Sequence, residues 1–164
     1  MKFFFKNNNS GFTLVEVLIA CAILSLCILA LMTASSKGIQ TSSQALRQTQ
    51  AGFILEEGAE AVKTIRDASW NNISSLTTGT TYYLSFSTST NTWSLSTTPS
   101  PTIDSIFTRI VVLSAVNRDS NDDIASSGTL DTRTKKVTVT VSWPISDNTT
   151  SSKTLDFYIS DIFS

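Results

Sequence analysis

Glu16 is the residue whose chemistry most needs a reason. It lies five residues after Gly11, inside the apolar run FTLVEVLIACAILSLCILALM at 12–32. A carboxylate in hydrocarbon costs up to about 3 kcal/mol, less near the interface, and marks a partner. One hydrolysis supplies that partner. Cutting between Gly11 and Phe12 frees a cationic α-amine on Phe12, close in depth to Glu16. In an assembly of parallel copies, Glu16 of one chain would neutralise the Phe12 amine of a neighbour. Such a pair sets axial register, a well-attested use of buried polar groups.

The string G-F-T-L-V-E-V-L-I-A resembles the prepilin signature of type IV pilins and type II secretion pseudopilins. The resemblance covers about residues 10–35, and Gly11, Phe12 and Glu16 match it one by one. It implies that a prepilin peptidase cuts after Gly11 and methylates Phe12, and that Glu16 guides assembly. It implies other pilin or pseudopilin subunits, an inner-membrane assembly platform and lipid as partners. It also implies a structural subunit rather than an enzyme, held in the inner membrane and then built into a pilus or pseudopilus. Two features depart from the pattern. Asn7, Asn8, Asn9 and Ser10 separate Lys6 from the cleavage point, where such leaders often carry basic residues. The helix-breaking proline of many pilins is missing, and the first proline is Pro99. The run KKVTVTVSW through KTLDFYISDIF also looks like the end of minor-pilin or pseudopilin-I chains.

Positioning Glu16 requires a membrane-length helix. At 1.5 Å per residue the run 12–32 spans roughly 32 Å, against a hydrocarbon core of roughly 30 Å. Lys2 and Lys6 precede it, so the positive-inside rule puts the N-terminus in the cytoplasm and the head outside. A cleaved secretory signal has a shorter apolar core. An uncleaved signal anchor presenting a β-rich adhesive or ligand-binding head fits length and charge, but leaves Glu16 unexplained. Cys21 and Cys27 lie inside the run and read as small apolar side chains.

From 37 to 67 the pattern becomes amphipathic. Ile54, Leu55, Ala61, Val62 and Ile65 share one arc of the helical wheel. Glu56, Glu57, Glu60, Lys63 and Asp67 fall on the other side, read as a solvated face with a Lys63–Asp67 pair. Gly38, Gly52 and Gly58 are candidate points of bending or fraying. Asn71, Asn72, Ser74 and Ser75 read as a loop. Strand-like runs follow at 81–86, 92–95, 107–115, 136–143 and 154–159. Val137, Val139, Val141 and Trp143 alternate with polar residues, and Pro144, Asp147 and Asn148 suggest a hairpin before the last strand. The expected fold is α+β: a long N-terminal helix on an antiparallel sheet of four or five strands. The organisation is a leader at 1–11, a membrane helix at 12–35, its amphipathic continuation at 36–67 and a β-rich head at 68–164.

Other chemistry is sparse. The chain of 164 residues has no histidine, a formal net charge of -1 and 15% charged residues. Its serines and threonines therefore have no histidine base, so no catalytic residue is expected. Asp119, Asn121 and Asp123 alternate as calcium-loop ligands do, with Asp122 between them. Ile124 and Leu130 stand where an EF-hand needs Gly and Glu, so that motif is absent. A solvated polar loop is the plainer reading, and no cofactor is expected beyond this weak calcium candidate. Arg133, Lys135 and Lys136 read as a solvated strand edge, and nothing indicates nucleic acid. Tyr82, Tyr83, Trp93, Trp143 and Tyr158 read as core or cross-strand packing rather than a binding surface.

Overall fold

The computed structural model describes residues 11–146 and 148–162. Leader residues 1–10, with Lys2 and Lys6, and Asp147 of the expected hairpin lie outside them. The chain divides into two compact units, Met1–Ser43 and Gln44–Ser164. One helix, α1 (Leu14–Ala68), contributes to both.

In the first unit α1 is exposed along its described length. It is long and apolar enough to cross a membrane. Leu, Ile, Ala and Val without proline favour this helix. Gly38 lies within it, so the expected fraying there is not observed. Ser25 and Thr33 turn their hydroxyls back to the carbonyls of Cys21 and Ala30, at 2.8 Å each. That removes two polar groups from contact with hydrocarbon.

In the second unit α1 lays Ala51, Ile54, Leu55, Ala61, Val62 and Ile65 against a sheet, all buried. The amphipathic arc is therefore the core face. A short helix, α2 (Asn71–Ser74), replaces the loop expected there and buries Ile73. The sheet has six strands, not four or five: β1 (Thr81–Ser87), β2 (Thr92–Ser96), β3 (Thr108–Arg118), β4 (Ile124–Ala125), β5 (Thr129–Ser146) and β6 (Thr149–Ser160). Their order is β2-β1-β3-β5-β6, all antiparallel, with the two-residue β4 beside β3. So short a strand has no detectable alternation, which is why the sequence hides it.

On β5, Val137, Val139, Val141 and Trp143 are buried while Thr138, Thr140 and Ser142 are half-buried on the other face. Each full Val burial is worth about 1.5–3 kcal/mol. β3 buries Arg109, Val111 and Leu113, then a register shift at Ala115/Val116 moves burial to Val116. Extra residues in β5 at this bulge keep the core face continuous across the change of parity. Before β5, Gly128 has φ +139°, and a side chain there would run into the Arg118 carbonyl, so only glycine fits.

Polar contacts also fasten α1 to the sheet: Arg47 of α1 donates from Nη1 to the Pro144 carbonyl of β5 at 2.8 Å, and Arg109 of β3 reaches back to α1. The Arg109 side chain is only 6% exposed and donates from Nη1 to Glu57 Oε2 at 2.6 Å and to the Ile54 carbonyl at 3.2 Å. Its guanidinium also lies 5.4 Å from the Trp93 ring centroid. Gly58 makes room for it, since a Cβ there would meet Arg109 Cδ and Val139 Cγ1 at 3.0 Å each. The acidic face is thus not simply solvated. Glu57 holds Arg109, and Lys63 pairs with Glu60 at 2.7 Å rather than with Asp67. Arg66 takes Asp67 instead, and Lys63 lies 6.0 Å from the Phe157 ring centroid.

Two glycine substitutions separate packing from helix propensity. Gly58→Ala is expected to destabilise the head by about 1–3 kcal/mol through overpacking. Gly52→Ala meets only the mobile Lys153 amine at 3.6 Å and is expected to stabilise by up to about 1 kcal/mol. Urea unfolding of the protein in detergent, followed by tryptophan fluorescence, reads both signs.

Candidate assembly and processing site

The start of α1 is built by two side chains. Gly11, Phe12 and Thr13 are non-helical and exposed, and α1 begins at Leu14. The Glu16 N–H donates to Thr13 Oγ1 at 3.3 Å, and the Thr13 N–H donates to Glu16 Oε2 at 3.4 Å. The Thr13 carbonyl takes the Glu16 and Val17 N–H groups at 3.1 and 3.2 Å. This is a reciprocal capping box, T-L-V-E, in which each side chain satisfies a backbone donor at the helix start. Such donors are costly in an apolar environment, so the box matters more beside lipid than in water.

The box also aims the Glu16 carboxylate toward the chain's N-terminal end. One long bond to Thr13 uses little of its capacity, because a carboxylate accepts at about four lone-pair positions. It remains able to accept from a cation at the depth of Phe12. Thr13 is the capping residue that charge and spacing alone overlook. The signal was present as a threonine three residues before a glutamate at the head of an apolar run. Cys21 and Cys27 are both free and exposed on α1.

The acidic loop is organised around its own backbone. Asp119 Oδ1 accepts the N–H groups of Asn121 and Asp123 at 2.8 and 3.1 Å. Asp122 between them has φ +66°. Among the described residues, no group of three or more acidic, Cys or His side chains is arranged to hold a metal ion. The loop instead borders a cleft of about 710 Å³ whose wall is an ion pair. Arg118 donates from Nε to Asp131 Oδ2 at 2.7 Å and from Nη1 to the Asp122 carbonyl at 2.7 Å. Asp131 Oδ1 also accepts the Arg133 N–H at 2.8 Å. The Arg118 bond, followed by one from Thr134, holds the Asp131 carboxyl at about 2.

Lys135 and Lys136 do not lie at a sheet edge, because β5 sits between β3 and β6. Lys136 pairs with Asp156 of β6 at 2.9 Å, which lowers the Asp156 pKa and raises that of Lys136. Of the aromatics, Tyr82 and Trp143 are buried, Tyr83 and Trp93 are half-buried, and Tyr158 is exposed. Phe86 and Trp93 pair across β1 and β2 with ring centroids 5.1 Å apart.

Residues 6–32 match the family model described as the prokaryotic N-terminal methylation motif. The matched segment holds Gly11, Phe12, Thr13 and Glu16, so the chain carries a prepilin signature of the type IV pilin and pseudopilin kind. No curated protein and no solved structure matches the chain.

The Asp131 pair gives the head an acid-sensitive link. Its folded pKa of about 2 lies below the ordinary 3.8, so its stabilisation is full above that ordinary value. It is lost as pH falls through the folded value. Asp131→Asn is expected to be less stable than wild type at neutral pH and to converge with it near pH 2. Denaturant midpoints measured across that window check the sign.

Proposed function

We propose that this chain is a structural subunit, a minor pilin or pseudopilin, of a type IV pilus-like filament. It is made as a precursor, cut after Gly11 by prepilin peptidase and methylated on the Phe12 amine. It is then drawn by an inner-membrane assembly platform into a filament with other subunits. The observation that carries this reading is the methylation motif at the head of a membrane-length helix containing Glu16.

Each part has a physical task. Lys2 and Lys6 hold the N-terminus in the cytoplasm, where a leader of this kind precedes the span. The exposed apolar face of α1 serves lipid in the stored subunit and neighbouring helices in the filament. Glu16 selects the neighbour whose Phe12 amine lies at its own depth. The β-rich head faces the periplasm or the cell exterior. The protein's chemistry is performed on it rather than by it.

N-terminal mass spectrometry of chain recovered from host membranes tests the reading. A methylated Phe12 terminus is expected. An intact Met1 start in cells with active peptidase would instead favour an uncleaved signal anchor. Gly11→Val should leave full-length precursor. Glu16→Ala should be cut normally, yet enter filaments roughly tenfold less well, the equivalent of about 1.4 kcal/mol. Unchanged incorporation of that variant would remove the register argument.

A further inference from the structure

We infer that Thr13 is the positioning residue for processing: its cap stops α1 short of the Gly11–Phe12 bond and keeps that bond in non-helical backbone. The inference rests on the proposed cleavage after Gly11. It concerns how the bond is presented, which the motif match does not address.

The geometry supports a helix stop at this point. Residues 11–13 are non-helical, the Glu16 N–H is shared between the Thr13 carbonyl and hydroxyl, and the Val17 N–H goes to the Thr13 carbonyl. Phe12 and Val17 occupy the flanking positions at which a hydrophobic staple reinforces such a box. Upstream, Ser10 and Asn7–Asn9 are alternative N-cap residue types. Without the Thr13 hydroxyl, a start at Ser10 competes, and the scissile bond falls within the first helical turn. The Gly11 carbonyl would then accept the Val15 N–H in the helical pattern. Hydrolysis adds water to that carbonyl, breaks the Gly11–Phe12 C–N bond and leaves the proton on the Phe12 amine. A carbonyl held in a helix turn must first be released, so only the unwound fraction of precursor is a substrate.

A substrate that is competent for only part of the time shows a raised apparent binding constant. Thr13 loss should therefore raise KM for processing and leave kcat nearly unchanged. Replacing a cap by Ala shifts such equilibria by about 2- to 30-fold. The Thr13 hydroxyl bonds the backbone N–H of residue 16, which alanine also has, so Glu16→Ala retains the Thr13 cap and its processing.

The test uses full-length precursor in membranes with a prepilin peptidase, with cleavage at Phe12 followed by mass spectrometry. Thr13→Ala and Thr13→Val should lose about fivefold in kcat/KM, through KM. Thr13→Ser and Thr13→Asn should restore it, because both cap. Rates that follow side-chain size or apolarity instead of capping ability would overturn the inference. So would Thr13→Ala cut at the wild-type rate, with the proposed processing left standing. A wild-type chain left uncut at Gly11–Phe12 would overturn the processing reading itself, and this inference with it.

Discussion

The head depends on one charge placed where charge is expensive. Arg109 projects from the central strand β3 into the layer between sheet and helix, almost wholly removed from solvent. A guanidinium there needs partners on every side. Glu57 supplies a carboxylate from α1, the Ile54 carbonyl a backbone acceptor, and Trp93 the face of a ring. Arg109 Nε has no hydrogen-bond partner in this arrangement. These contacts fix which residues of α1 lie over β3, and hence the helix register on the sheet. Gly58 follows from the same constraint, because a larger residue would occupy the space of the arginine stem.

The same helix carries a second glutamate under the same rule, with a different solution. Glu57 finds its cation within its own head. Among the described residues, the Glu16 carboxylate accepts from the Thr13 amide, a neutral donor that orients the carboxylate without neutralising it. A lone carboxylate in an apolar run is tolerated when a cation arrives from elsewhere. The proposed cleavage makes that cation at the right depth. One glutamate locks a fold, and the other is the one proposed to meet a partner.

The pattern of residues revealed the large elements because their signals are periodic. The buried arc of α1 and the alternating valines of β5 both place apolar side chains on one face. What the sequence concealed has no period. β4 is two residues long, α2 is one turn rich in asparagine and serine, and the bulge at Ala115/Val116 changes parity within a strand. Arg109 was hidden for another reason. A single arginine within an expected strand carries no periodic signal, and its partner lies 52 residues earlier on the helix. Glu57 was correspondingly absorbed into an acidic face. At the N-terminus, Gly11, Phe12 and Glu16 were legible as a motif, whereas the role of Thr13 emerged only with its bond distances.

The capping box reconciles two demands that would otherwise conflict. The proposed cleavage needs unwound backbone at Gly11–Phe12, whereas an apolar environment penalises every unsatisfied backbone donor of α1. An uncapped helix start would meet the first demand and fail the second. A helix extended into the leader would do the reverse. The Thr13 hydroxyl accepts the Glu16 N–H and the Glu16 carboxylate accepts the Thr13 N–H, which marks the boundary between non-helical chain and apolar helix. The proposed cleavage would give the same N-terminal end of the helix a positive charge beside Glu16. The new amine lies where the helix dipole disfavours a cation, at its positive end. A carboxylate at that depth offsets this cost, from the same chain or from a neighbour. The residue proposed to guide assembly is therefore also one that would make a charged amine at the head of an apolar helix tolerable.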